Sequence, residues 1–334
     1  MLNRRRLVQC AAAALAAPSA AVLRAQAADP VALRLSGPPA SVSNPLIHLA
    51  AQGRWPALSD RISFKPWRDP DQLRALALRT EADFVAMPTN VAANLYNRGV
   101  PLRLVNVSVW GILYIVSRDV GRKTLADFRG EEIALPFRQD MPDLVFQETA
   151  QGLGLNPQTD FKLRYVASPL DAMQLLLTRR VRHALLAEPA VSMALHKTKS
   201  FPVSAVAPDL YRAVDVQQEW ARAFKRPPRM AQAGIAALGP AAQDAALLAR
   251  FQQAYVEASA WCQANRLACG KEVAAVESRL SVEAVADSLS VAPLDPVPAA
   301  QAQGEVMFLF ERLYKRNPQL LGGKLPDAAF FAGA

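Results

Sequence analysis

Arg138, Gln139 and Asp140 follow an apolar run that reads as a strand, and Glu188 follows another. A guanidinium offers bidentate donors to a carboxylate, sulfonate or phosphate, whereas a carboxylate favours a cationic or donor-rich molecule. If Arg138 and Glu188 meet, they make a site that is neutral overall. The same position, directly after a strand-like run, is held by Ser41, Val42, Ser43 and Asn44, by Pro88, Thr89 and Asn90, by Trp110, and by Phe137. In open α/β sheets ligands bind outside the carboxyl ends of the strands, so these loops are the expected ligand contacts. Thr89 and Asp140 are also residue types that cap helices, and Pro142 suits a first helical turn. Trp110 either packs in a core or covers a planar or apolar ligand.

Covalent chemistry has little to stand on. The chain has no Gly-x-Ser-x-Gly, no His-Glu-x-x-His and no paired-cysteine motif. His48, His183 and His196 are widely spaced, and His183 reads as a structural histidine. We therefore expect no catalytic residue, metal or cofactor. Cys262 and Cys269 would lie about 10 Å apart along one unbroken helix, beyond the reach of a disulfide. A break near Asn265 would bring them together, and the sequence leaves both outcomes open.

The elements that must position these loops alternate in type. Strand-like runs at 31–36, 62–67, 82–87 and 102–109 are separated by helical patterns at 45–52, 69–79 and 89–97. After Arg118 the pattern restarts, with strands at 133–136, 161–166, 184–187 and 203–206 and helices at 125–128, 142–153, 170–179 and 191–197. Such alternation implies parallel sheets faced by helices. From Ala241 onward the chain reads as helical, including 243–263 and 304–315, with a proline-rich connection at 292–302. Helices without strands of their own must bury their apolar stripes on an existing lobe. Runs 111–117 and 233–238 each join one unit to the next, and are the expected crossings between two lobes. The expected division is 28–112 and 239–334 in lobe one, and 113–238 in lobe two.

The N-terminus reads as an export signal. Asn3, Arg4, Arg5, Arg6, Leu7 and Val8 precede an alanine-rich apolar stretch that ends in a small-x-small cleavage site after Ala27. The arginine pair resembles a twin-arginine signal, although general secretory export fits as well. Pro18 and Ser19 interrupt the stretch, which is too short for a membrane span. Residues 1–27 hold four arginines and no acid, so their removal takes the formal charge from +9 to +5. The remaining basic residues, densest at Arg179, Arg180 and Arg182, are dispersed without aromatic interleaving, which argues for a solvated face and against nucleic-acid binding. The expected location is the periplasm.

Several segments together resemble the periplasmic substrate-binding family of ABC importers for nitrate, taurine, alkanesulfonates and thiamine-precursor pyrimidines. They are Glu81-Ala82-Asp83-Phe84-Val85-Ala86-Met87-Pro88-Thr89-Asn90 with Asn97-Arg98-Gly99-Val100-Pro101, Leu125-Ala126-Asp127-Phe128-Arg129-Gly130 with Ile133-Ala134-Leu135-Pro136, Ala187-Glu188-Pro189, and Gly323-Lys324-Leu325-Pro326-Asp327. The resemblance implies a two-lobed α/β binding-protein fold of type II, with a ligand cleft between lobes joined by two crossing strands. It further implies a monomer that closes on a small organic or anionic ligand and delivers it to an ABC permease at the inner membrane. The alternatives are a periplasmic sensor or partner protein with this fold, or an enzyme related to pyrimidine synthesis. The cysteine cluster of the eukaryotic pyrimidine-synthesising relatives is absent. Two segments depart from the family pattern, Phe137-Arg138-Gln139-Asp140-Met141-Pro142 and Arg180-Val181-Arg182-His183-Ala184, so the resemblance does not carry a nitrate or sulfonate ligand onto this chain.

Overall fold

A computed structural model describes residues 32–199 and 209–333. The export signal expected at 1–27 and the strand expected at 203–206 lie outside the described residues.

The first lobe is built on a six-stranded sheet in the order β11-β4-β10-β3-β1-β2. Its strands are β1 (Ala32–Gly37), β2 (Arg61–Pro66), β3 (Phe84–Pro88), β4 (Leu102–Val109), β10 (Ala233–Leu238) and the short β11 (Val297–Pro298). β1 runs parallel to β2 and β3, while β10 lies antiparallel between β3 and β4. The second lobe is built on a five-stranded sheet in the order β7-β6-β8-β5-β9. It comprises β5 (Leu113–Ser117), β6 (Glu132–Pro136), β7 (Lys162–Val166), β8 (His183–Ala187) and β9 (Tyr211–Asp215). Here β6 is parallel to β7 and β8, and β5 is antiparallel to β8 and β9.

Local sequence explains why the chain turns from strand to helix where it does. After β1 it enters α1 (Asn44–Gln52) with Pro45 in the first turn, and leaves it at Gly53 in the left-handed conformation. Asp69 accepts from the backbone N–H groups of Asp71 and Gln72 to start α2 (Pro70–Leu78). α3 (Thr89–Asn97) follows β3 without an intervening residue. In the second lobe α4 (Met141–Gly152), α5 (Pro169–Leu177) and α6 (Ala190–Lys199) follow β6, β7 and β8, and α5 is capped by Ser168.

Two expectations are corrected here. Runs 111–117 and 233–238 are not crossings: β5 and β10 sit inside the two sheets, because their apolar residues are buried on both faces. The passage between lobes falls at 109–112 and 229–233, where Met230 N–H donates to Trp110 O and Gln232 N–H to Val109 O. The stretch from 209 to 232 also contains β9 and α7 (Val216–Phe224), which the sequence reading left unassigned. β9 carries Arg212 and Asp215 among its five residues, so its apolar signal is weak.

The C-terminal helices are α8 (Ala245–Ala264), α9 (Arg266–Val276), α10 (Val282–Val291) and α11 (Ala299–Arg316). α8 buries Phe251, whose ring stacks on Phe84 of β3 at 3.6 Å between centroids. α11 buries Val306, Leu309, Phe310 and Leu313 in the same core as Leu95 and Leu104. The return to lobe one is not exclusive: α10 packs on α6, and Arg316 and Arg312 of α11 pair with Glu148 of α4. β11 is a strand within the segment read as a proline-rich connection, and α11 begins at Ala299 rather than at Gly304. The α8–α9 break at Asn265 brings the Cys262 and Cys269 sulfurs to 2.7 Å, with both thiols free and buried.

Candidate functional site

A cavity of about 130 Å³ opens where the carboxyl ends of the parallel strands of both sheets converge. Lobe one contributes Pro38, Pro39, Ala40 and Val42 after β1, Trp67, Arg68, Pro70 and Leu73 after β2, and Met87, Pro88 and Val91 around the β3–α3 junction. Lobe two contributes Phe137, Asp140, Met141 and Pro142 after β6, Ser168, Pro169 and Leu170 after β7, and Ala187, Glu188 and Ala190 after β8. Ile112, Gln232 and Ala233 line it from the passage between lobes, and Arg279 from the C-terminal region.

The loop after β6 is the most constrained part of this wall. Phe137 and Gln139 both have left-handed backbone, with φ of 57° and 63°. For residues with a Cβ such conformations cost of order 1–3 kcal/mol each and must be held by their surroundings. Phe137 N–H donates to Val166 O at 3.1 Å, and Gln139 is held by Asp143 of α4, which is fully buried. Its carboxylate accepts from Gln139 N at 2.7 Å, from Gln147 Nε2 at 2.6 Å and from the Tyr165 hydroxyl at 3.1 Å. Burial, with Asp143 close by, pushes the Tyr165 phenol up to about 12.

Asp140 does not cap α4 with its side chain. Its Oδ1 instead accepts from Arg74 Nη2 of α2 at 2.9 Å. Burial pushes this carboxyl up, against the pull of Arg74. Thr89 does not cap α3 either, because its hydroxyl donates to Ala231 O at 2.6 Å. Both departures have one cause: tertiary partners compete for the side chain that a local cap would use.

Glu188 is wholly buried, and Arg212 of β9 reaches its Oε1 at 2.7 Å. Its Oε2 accepts from Ser192 N at 3.1 Å at the start of α6. Burial, with Asp215 and Glu188 nearby, holds the Tyr114 phenol up at about 12. Arg138 does not pair with Glu188. It is exposed, stands 5.1 Å over the Tyr165 ring, and does not line the cavity.

Of the residues expected from sequence to bind ligand, Pro88, Asp140 and Glu188 line the cavity, as do Val42 and Phe137. Gln139 is exposed beside it. Trp110 lies outside the lining; its Nε1 donates to Asp295 O at 2.8 Å and the Arg229 guanidinium stands 4.0 Å over its ring. Ser41, Ser43, Asn44, Thr89 and Asn90 are buried and do not line the cavity. Ser43 donates to Pro38 O, whereas Ser41 Oγ, Asn44 Nδ2 and Asn90 Oδ1 have no hydrogen-bond partner among the described residues. His183 is buried against Ser117, consistent with a structural role.

Sequence reasoning did not single out Trp67, Arg68, Leu170 or Gln232. Trp67 is pinned by its Nε1 donating to Ala86 O at 3.1 Å, and Gln232 Oε1 accepts from Ile112 N at 3.3 Å. A signal for Trp67 was present, since it is the last residue of the strand-like run 62–67. Gln232 carries none, because its position depends on the pairing of the two passage segments.

The fold and the placement of the cavity define an architecture, a two-lobed α/β fold with a cleft at the strand ends. Comparison with solved structures gives the same architecture. An ABC transporter protein from Parabacteroides distasonis superimposes with a TM-score of 0.71 at 20% identity, covering 90% of this chain and 98% of that one. The periplasmic aliphatic sulphonate binding protein SsuA from Escherichia coli gives 0.64 at 19% identity, covering 87% and 95%. The periplasmic nitrate-binding protein NrtA from Synechocystis gives 0.59 at 14% identity, covering 77% and 70%. At these identities the likeness establishes the fold. No known family profile matches the chain, and no curated protein sequence does. No helix among the described residues is long and apolar enough to cross a membrane.

Proposed function

We propose that this chain is an extracytoplasmic solute-binding protein, not an enzyme, which closes on a small ligand and presents it to an ABC permease. The observation that carries this reading is the cavity at the strand ends of both sheets, walled by loops from each lobe. The described neighbours, named as sulphonate- and nitrate-binding proteins and as an ABC transporter protein, support the same role.

In this reading the lobes are 28–112 with 233–334, and 113–232, because β10 belongs to the sheet of the first lobe, and residues 1–27 are an export signal removed after Ala27. The paired segments 109–112 and 229–233 act as the hinge. Ligand contacts that exist only in the closed form drive closure, since a ligand shifts a conformational equilibrium by its differential affinity for the two states. The closed form is the one a permease recognises.

The test has two parts. A melting-temperature screen of residues 28–334 against carboxylates, sulfonates, nitrate, pyrimidines, amino acids and small ring compounds should find a stabilising class, because a ligand at 100 times its dissociation constant adds about 2.7 kcal/mol. Small-angle scattering with that compound should then show a smaller radius of gyration. Absence of any stabilising compound, or superimposable scattering profiles, would overturn the reading.

A further inference from the structure

We propose that the ligand is a small molecule built on one apolar ring bearing a single acidic group, not an inorganic oxyanion or a short alkanesulfonate. This rests on the solute-binding reading above and names the chemistry of its ligand.

The wall of the cavity is overwhelmingly apolar, with Trp67, Met87, Ile112, Phe137, Met141 and Leu170 among its side chains. A small hydrated anion entering such a space would lose most of its water and meet donors only at the edge, which is costly. An apolar ring loses nothing of that kind, and gains burial and contact with aromatic walls. The volume fits as well. A cavity of about 130 Å³ is close to the roughly 150 Å³ of an apolar cavity known to hold one benzene.

The charged lining residues narrow the choice further. Asp140 is paired with Arg74, Glu188 with Arg212, and Arg279 with Glu277. Arg68 differs: it lines the cavity, is exposed, and among the described residues its guanidinium has no partner. A fork of donors at the edge of an apolar pocket suits one carboxylate carried by the ring. Phe137 is the second pointer. An aromatic side chain held in left-handed backbone at the cavity wall is a strained arrangement of the kind that collects at ligand clamps.

The experiment is calorimetric titration of the protein with benzoate, benzyl alcohol, nitrate and ethanesulfonate, repeated on Arg68→Ala and Phe137→Gly. Glycine adopts the backbone conformation of position 137 freely, so the second variant removes the ring without threatening the fold. Benzoate should bind, and nitrate and ethanesulfonate should not. Arg68→Ala should weaken benzoate at least about tenfold and leave benzyl alcohol unchanged, while Phe137→Gly should weaken both ring compounds by a similar factor. Binding of nitrate or ethanesulfonate without benzoate would overturn the ring proposal and leave the solute-binding reading standing. Equal benzoate affinity in wild type and both variants would also overturn it. If none of the four binds, the ring proposal fails; the solute-binding reading fails separately only if the broader screen is empty too.

Discussion

Arg74 Nη2 stands 2.9 Å from Asp140 Oδ1, tying α2 of the first lobe to the loop that opens α4 of the second, at the edge of the cavity. The pair is made of one half-exposed guanidinium and one carboxylate sheltered by both lobes. Its two sides are therefore unequal, and the carboxylate decides how the pair responds to pH.

Burial raises the Asp140 carboxyl above its ordinary 3.8, so the folded chain holds that proton more tightly than the unfolded chain does. The stabilisation this gives is complete below the ordinary value and is lost as pH rises through the folded value. Asp140→Asn escapes that loss. Thermal melts should show the variant gaining on wild type from about pH 3.5 to about pH 7, with the net difference at neutral pH within about 1 kcal/mol because the lost pair is partly exposed. A variant that loses ground over that interval would show that Arg74 outweighs burial.

Glu188 and Arg212 make the opposite case, since there the carboxylate is wholly buried and the guanidinium is its only basic partner among the described residues. Arg212→Met leaves a buried charge uncompensated and should destabilise the chain by about 3–5 kcal/mol in urea unfolding. Glu188→Gln combined with Arg212→Met should recover much of that loss. A single variant as stable as wild type would contradict the arrangement.

The Cys262 and Cys269 sulfurs, 2.7 Å apart, are nearer than separate thiols pack and close to the roughly 2.05 Å of a disulfide. Treatment with oxidised glutathione should join them, the two thiols giving two electrons and two protons to the glutathione disulfide. Mass spectrometry of residues 28–334, which leave out Cys10, should find a loss of two hydrogens and no thiol free for alkylation after denaturation. The reaction should be slow, because the neighbouring Cys269 and burial push the Cys262 thiol up and the thiolate is the reactive form. Full alkylation after prolonged treatment would rule the bridge out.

Two glycines should respond in opposite directions to the same change. A Cβ on Gly234 of β10 would lie 1.8 Å from Asn106 O of β4, so Gly234→Ala must push the strands apart and should cost about 1–3 kcal/mol. A Cβ on Gly304 of α11 meets nothing, and Gly304→Ala should gain roughly 0.5–1 kcal/mol. Urea midpoints of the two variants check both.

The sequence determined the elements and the class of fold. Alternating runs marked β1 to β4 and β6 to β8 and their helices, because period-2 and period-3.6 patterns are written locally. It also placed the loops after the parallel strands at the cleft, and Pro88, Asp140 and Glu188 are there. Tertiary structure decided what those loops present. Arg138 reads as a free anion binder until Tyr165 comes to lie beneath it, and Glu188 reads as open to ligand until Arg212 arrives from β9, a strand too polar to be recognised alone. Thr89 and Asp140 looked like caps until Ala231 and Arg74, both distant in sequence, claimed them. The antiparallel places of β5 and β10, and hence the position of the passage between lobes, could not be read locally, because an apolar run does not state which neighbour it pairs with. Local patterns fix where a side chain can point, whereas its partners come from chain segments far away, and the partners decide which charges remain free to meet a ligand.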